Sequence, residues 1–542
     1  MRSCAWLVLV IGIVLAQNDD LFELNIIHYN DFHAHFDEIS VSGGTCNPDT
    51  EDCIGGISRL YTAIRQVLEA EPDSLVLNGG DTFQGTVWYN FLRWNVTQYF
   101  MNILPKHDAH VLGNHEFDHG VEGLVPYLQH LEAPMLGANV NATLEPELAP
   151  LIQNHITVTR NNRTIGIIGI LLRTFSAPIG RVIMEDELEA VNREAAILAE
   201  QNVDIIIVLS HVGYSSDLWL AERMSPEVDI IVGAHSHTLL FTGDTPDGST
   251  PVGDYPTVVT QSNGHRILVV QASCYTRYLG NIKLYFNDQG KIEHWEGQPI
   301  YLGTSIVKDP RIEELLNPWR DILYPISREV LGRSLALLNR SWCFRGECNL
   351  GSWVCDAFLE QMLERANGTN WNYAHLCLIN AGGVRVPINP GNVTTEALLM
   401  AIPFENTVQV YDLKGEHILE ALEFSLAVNQ NNPTSFYSSR MLQLGGMRNV
   451  YNATAPAGSR IVSATVRCLD CAVPRFESLD PTATYRVLTQ DYIGDGGGGY
   501  TMLSENRENL VILDTDYKIV QNHMRKYGTH FQDIDGRIQI VY

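Results

Sequence analysis

Five short polar clusters, each closing an apolar run, carry the side chains best suited to chemistry. Asp31 and His33 follow Asn25-Ile26-Ile27-His28-Tyr29-Asn30, and Asp81 follows Leu75-Val76-Leu77 through Asn78-Gly79-Gly80. Asn114, His115, Glu116 and Asp118 sit in Gly113-Asn114-His115-Glu116-Phe117-Asp118, His211 follows Ile205 to Ser210, and His235 and His237 follow Asp229 to Val232. Residues two apart in an extended segment point the same way, so Asp31 and His33 can grip one ion from a strand end. The glycines before Asp81 let the backbone turn tightly and leave its carboxylate presented. Singly these signals are weak, because an Asp-x-His is more often a surface pair and a lone histidine more often a satisfied core residue. Together they are five sets of oxygen and imidazole donors at strand ends, where ligands bind in α/β sheets, and they point to one divalent-metal site.

The elements that must position them are legible as alternation. From Leu24 to about Ile306, short β-branched runs (Leu24 to His28, Ser74 to Leu77, Thr164 to Ile170, Val203 to Leu209, Val228 to Val232, Ile267 to Gln271) alternate with helical stretches, as in a layered α/β domain. Asp309-Pro310 opens a helix to about Tyr324, with Ile312, Leu315, Leu316, Trp319 and Leu323 at helical spacing. It reads as a connector between two domains or as the first helix of the second. Beyond Leu331, helices near Trp353 to Ala366 and His417 to Asn429 mix with strands and Gly-rich turns. A chain of 542 residues, 45% hydrophobic and 18% charged, folds, and its length calls for two large domains. The 63 acidic against 36 basic residues give −27, which disfavours a nucleic-acid polymer or an anionic membrane as partner. A small anionic substrate would need a local cation.

Residues 1–16 combine Arg2, an apolar run from Ala5 to Ala16 and a following acidic segment, the parts of a cleaved secretory signal. The stretch Lys518 to Tyr542 has no apolar run, so no lipid or membrane anchor is expected there. Eight cysteines fall into local groups, and proximity pairs Cys46 with Cys53, Cys343 with Cys348, Cys355 with Cys377 and Cys468 with Cys471, leaving Cys274 as a buried thiol. Sequons at Asn95, Asn141, Asn162, Asn339, Asn367, Asn392 and Asn452 mark expected surface positions and candidate glycans. Nothing in the residues sets the number of subunits.

The ordered set Asp31-x-His33, Gly80-Asp81, Gly113-Asn114-His115-Glu116, His211 and Gly233-x-His235-x-His237 resembles the calcineurin-like metallophosphoesterases, and more closely the 5′-nucleotidase family. Phe83 to Asn95 looks like the salivary apyrases within that family. The resemblance covers essentially the whole mature chain. It implies an α/β fold with a four-layer α/β/β/α metallophosphoesterase domain over 17–308, a linker helix over 309–330 and a mixed α/β C-terminal nucleotide-binding domain over 331–542. Asp31, His33 and His237 would hold one metal, Asn114, His211 and His235 a second, and Asp81 would bridge them. Three or four imidazoles favour zinc, with calcium or magnesium as alternatives for activity. His115 would stabilise or protonate at the phosphoryl group with Asp118 orienting it, although a His and an Asp at a helix start can also simply cap a turn.

In the second domain the resemblance puts Asn380 and Arg385 on the nucleotide phosphates, and Phe404 and Tyr492 on either side of the base. Two departures stand out. The family's arginine directly after the first cysteine is Phe344 here, leaving Arg345 as its candidate replacement. Gly498 stands where an aspartate takes the ribose hydroxyls, leaving Asp495 as the nearby carboxylate. The implied activity is that of a secreted apyrase taking ATP and ADP to AMP, and thereby inhibiting ADP-driven platelet aggregation. A secreted 5′-nucleotidase acting on AMP, or a non-catalytic binding protein on the same fold, are the other readings.

Overall fold

The computed structural model describes residues 21–542 apart from 42, 47, 50, 174–178, 204, 367 and 427–437, so the expected signal segment and Asn367 lie outside the described residues. Strands Phe22–Tyr29, Leu75–Asn78, Ala109–Val111 and Met135–Leu136 run parallel in one sheet, and Tyr278–Phe286 pairs antiparallel with the first. In a second sheet Arg163–Leu171, Ile205–His211, Ile230–Val232 and Arg266–Val270 run parallel.

Alternation along each strand decides what the sheets pack against. Ile26, Leu75 and Leu77 meet Ile205, Ile207 and Leu209 between the sheets. Ile27 and Val76 point outward to Leu60, Ile64, Val96 and Phe100 of helices Ile57–Ala70 and Val87–Ile103. On the far side Ile206 and Val208 pack on Val191, Ala195 and Leu198 of helix Glu187–Glu200. The order is therefore helix, sheet, sheet, helix. Strands buried on both faces explain the unbroken apolar runs in the sequence.

The helix that opens at Asp309 spans Pro310–Ser327, with the Asp309 carboxylate accepting from the backbone of Arg311 and Ile312 and a proline in its first turn. Its buried Ile312, Leu316 and Leu323 join the same core as Phe36 and Trp88, and its Arg320 is paired with Asp37 of the N-terminal half. Its apolar face therefore packs on the N-terminal half just before the chain enters the C-terminal one.

The C-terminal half centres on a five-stranded sheet ordered Leu442–Gly445, Leu376–Asn380, Thr484–Gln490, Thr407–Lys414, Glu508–Thr515. Helices Asn349–Gln361, Gly415–Ser425 and Asp516–Tyr527 contribute Trp353, Phe358, Ile418, Leu422 and Met524 to its core. The helix expected from Trp353 begins four residues earlier, while the last residues expected of the helix from His417 fall outside the described ones.

Three expected disulfides are formed, Cys46–Cys53, Cys343–Cys348 and Cys468–Cys471, and Cys274 is a buried thiol. The fourth expected pair is not bonded. Cys355 and Cys377 are buried free thiols in hydrogen-bond contact, with the Cys355 thiol also directed at the Gln443 carbonyl at 3.7 Å. No described sequon asparagine is buried. No helix among the described residues is long and apolar enough to cross a membrane.

Ile207 is fully buried between the sheets. Ile207→Ala is expected to cost about 2 to 5 kcal/mol through lost transfer energy and a residual cavity. A fall in the urea unfolding midpoint at unchanged slope checks it.

Candidate dimetal site

The register of the first sheet sets the Asp31 and Asp81 loops side by side. Tyr29 pairs with Asn78, and beyond the strand ends Asp31 N–H donates to the Gly80 carbonyl at 3.0 Å and His33 N–H to the Asp81 carbonyl at 2.9 Å. Asp31, His33 and His237 gather their donor atoms in one group, and Asp81, His211 and His235 in an adjoining one. Within them, His237 Nε2 lies 3.1 Å from Asp31 Oδ1 and His211 Nε2 3.1 Å from Asp81 Oδ2, with His33 Nε2 3.7 Å from Asp81 Oδ2. His33 Nε2 stands 3.2 Å from His237 Nε2.

Folding the chain into this arrangement strains it. Asp31, His33, Asp81, His235 and His237 all have positive φ, between 47° and 71°, although none is glycine. Such backbone persists only where its surroundings over-determine it. Gly80 supplies a turn that a side chain would block: at φ 85°, a Cβ would lie 2.8 Å from both Gly113 N and the Val111 carbonyl oxygen.

Glu116 holds the Asp81 turn. Its buried carboxylate accepts from the backbone N–H of Asp81 (3.0 Å), Thr82 (2.7 Å), Phe83 (3.2 Å) and Gly113 (2.7 Å). Four converging donors are how an ionised carboxylate is held. Burial first, and the Asp81 charge second, push Glu116 up to about 7. The sequence had shown Glu116 only as part of a motif, without this role. No local signal gave this role, because three of the four donors lie 33 to 35 positions away in the sequence. Asn30, likewise unassigned, donates to Asp31 Oδ2 at 2.6 Å and to the Ser273 carbonyl.

The donor set fits divalent cations. His33 Nδ1 faces the Phe83 and Gln84 carbonyls at 3.2 and 3.1 Å, and His211 Nδ1 faces the Gly79 carbonyl at 2.6 Å, so each ring donates there and keeps Nε2 as a lone pair. Asp31 Oδ1, Asn114 Oδ1, His211 Nε2 and His235 Nδ1 are buried acceptor or ligand atoms without hydrogen-bond partners. Buried polar atoms are otherwise almost always paired. The field agrees: although burial presses the His211 imidazole down, the Asp81 and Asp31 charges outweigh it and push it up to about 9. Two buried carboxylates without a cation draw a proton onto a ligand histidine, and a bound dication would take that place.

Beside this cluster His115 Nδ1 donates to Asp118 Oδ2 at 2.8 Å, leaving Nε2 4.0 Å from Asp81 Oδ2. The C-terminal half reaches the same place. The Arg385 guanidinium lies 3.4 Å from His33 Nε2 and 3.3 Å from His237 Nε2, and 5.4 Å over the Phe404 ring. Phe404 itself stacks on His115 at 5.2 Å and 9°. Tyr492 is close enough to feel the charges of Asp118, Arg385 and Arg440, and burial raises its phenol. Asn380 donates to the Ser439 carbonyl at 3.4 Å and keeps a buried, unpartnered Oδ1. The last two expected residues stand differently. Arg345 is exposed on the loop closed by Cys343–Cys348, and it is Arg340 whose guanidinium covers Phe344, at 4.7 Å. Asp495 is bound to Arg507 at 2.6 Å and Gln409 at 3.0 Å, so its carboxylate is already engaged within its own domain.

A buried His/Asp/Asn cluster at parallel strand ends, faced by an arginine and an aromatic ring from a second domain, defines a metal-dependent phosphohydrolase. Residues 24–239 match the calcineurin-like phosphoesterase model, and residues 330–505 match the 5′-nucleotidase C-terminal domain. Among similar proteins, an apyrase from Tabanus yao is 39% identical over 96% of this chain and 94% of its own. The 5′-nucleotidase of Homo sapiens is 34% identical over 99% and 94%. The crystal structure of a 5′-nucleotidase precursor from Thermus thermophilus superposes with a TM-score of 0.86 at 30% identity, over 96% of this chain and 99% of that one. The chain belongs to the 5′-nucleotidase family and is a metal-dependent nucleotide phosphohydrolase.

Because Glu116 organises the Asp81 turn, Glu116→Gln, which turns an amide N–H₂ toward backbone donors, is expected to lower both stability and metal content. Each buried N–H left unpaired costs about 1 to 3 kcal/mol. Elemental analysis and thermal unfolding check it, and unchanged metal content with an unchanged midpoint would remove the role.

Proposed function

We propose that this protein is a secreted apyrase, hydrolysing ATP and ADP to AMP and phosphate at a dimetal centre. The observation that carries the reading is Arg385, a cation from the second domain 3.3 to 3.4 Å from two candidate ligands of the first. A guanidinium there can fork onto the terminal phosphate of a polyphosphate whose other face meets the metals. Asp31, His33 and His237 would hold one cation and Asn114, His211 and His235 the other, with Asp81 between them. Zinc suits the imidazole-rich set best. Bound there, the cations supply positive charge to the phosphoryl oxygens and ionise water near neutral pH.

The chain's own groups do the rest. Burial presses His115 down, but Asp118 and Asp81 outweigh it and raise it, which favours an imidazolium with Nε2–H directed at the reacting phosphoryl group. It can stabilise the transferred group or protonate the leaving oxygen. Phe404 and Tyr492 offer faces for the base, and Arg385 orients the phosphates. The choice of ATP and ADP over AMP follows the likeness to the Tabanus yao apyrase; the human relative's name favours 5′-nucleotidase activity as the second reading. Three disulfides and the exposed sequon asparagines Asn95, Asn162 and Asn392 support an extracellular site of action. There, removal of ADP would suppress ADP-driven platelet aggregation.

Phosphate release from ATP, ADP and AMP, with and without chelator, tests the proposal. Release from ATP and ADP but not AMP is expected, abolished by chelator; turnover of AMP makes it a 5′-nucleotidase, and no release from any sinks the enzymatic role. His115→Ala should cut turnover about 10²- to 10⁴-fold with two metals per chain retained. Gly498, at φ 64°, has only the Tyr492 hydroxyl (3.6 Å) and rings beyond it around a would-be Cβ, and aspartate tolerates that backbone. Gly498→Asp is therefore expected to lower the KM for adenine nucleotides up to about tenfold. An unchanged KM would mean the ribose is held elsewhere.

A further inference from the structure

Helix Val87–Ile103 is broken at Arg93, whose backbone (φ 57°, ψ −147°) is not helical, so it is two helical segments meeting at a kink. The break aims the Arg93 side chain at two partners. One is His119, whose Nε2 accepts from Arg93 Nη1 at 2.6 Å while its Nδ1 faces the Tyr89 hydroxyl at 3.2 Å. The other is Glu405 of the C-terminal half, bound by Arg93 Nη2 at 3.0 Å. Glu405 also has left-handed backbone, φ 54°, and one turn before the kink Asn90 Nδ2 donates to the Pro403 carbonyl at 3.0 Å.

These contacts close a ring across the two domains. Residues 404 and 405 are consecutive, and they engage the two ends of one short turn: Phe404 stacks on His115, and Glu405 reaches His119 through Arg93. We propose that Arg93 is a positioning residue that latches the Phe404 loop over His115, setting nucleotide affinity through its pair with Glu405. The inference rests on the nucleotide-hydrolase reading. Arg93 touches no reacting atom. Its effect is on how often the second domain presents Phe404 and Arg385 to the metal-bearing cluster, and a pair only about a third exposed is strong enough to bias such an equilibrium without locking it. The partial exposure also makes the latch sensitive to salt.

The test compares Arg93→Ala, Glu405→Ala and the double variant with the wild type. Steady-state hydrolysis of ADP should show KM raised about fivefold in each, the effect expected of one partly exposed ion pair, with kcat within about twofold. The double variant should be no worse than either single one, because both remove the same contact. Added salt should raise the wild-type KM by a larger factor than it raises that of the variants, so that the two converge. Independently, hydrogen exchange of residues 402–406 should quicken in all three. Additive effects, a loss confined to kcat, or unchanged KM and exchange would overturn the latch. If Arg93→Ala fails to fold, Glu405→Ala, on a partly exposed loop, carries the comparison alone. Should the wild type hydrolyse no nucleotide, the proposed function falls while the exchange measurement still decides the latch.

Discussion

Two carboxylates, Asp31 and Asp81, are buried at the floor of the site, and the architecture around them answers that cost. Removing a carboxylate from water is expensive unless charge and hydrogen bonds replace the solvent. The parallel sheets bring both loops to one edge, backbone N–H groups of His115 and His235 donate to Asp81 Oδ1 and Asp31 Oδ2, and five histidines ring the pair. What remains unsupplied is positive charge. The upward pull on His211 registers that deficit, and buried atoms of Asn114 and His235 stand beside it without hydrogen-bond partners.

Backbone strain follows from the same demand. Left-handed φ at five candidate ligands would be costly in an isolated loop. Here Glu116 ties the Asp81 turn to Gly113, and the ladder between the Asp31 and Asp81 loops ties both to the sheet. The core beneath, Ile26, Leu77, Ile207 and Leu209 packed sheet to sheet, is the rigid base that lets loops above it hold unfavourable conformations.

Much of this was legible in the sequence because strands announce themselves by apolar runs and their ends by polar residues. Asp31, His33, Asp81, Asn114, His211, His235 and His237 each end such a run, and the structure gathers the donor atoms of the aspartates and histidines among them. What stayed hidden depends on pairings that no local pattern records. Glu116 acts through backbone groups 33 to 35 positions away, and Arg93 meets Glu405 across 312. Sequence proximity matched three cysteine pairs but also joined Cys355 to Cys377, which the fold brings into contact without a bond. The bonds of Asp495 Oδ1 to Arg507 and Gln409 likewise cannot be read from its neighbours. Helical periodicity found the helix after Asp309 but could not say which domain owned its apolar face.

That ownership has a mechanical consequence. Since Ile312, Leu316 and Leu323 are sunk in the first domain's core and Arg320 is clamped to Asp37, the helix is part of the stator. Any swing of the second domain must pivot beyond Ser327, in the few residues before the strand Val330–Ser334. Arg385, Phe404 and Tyr492 would then sweep past the cluster as one rigid tool, arriving together or not at all.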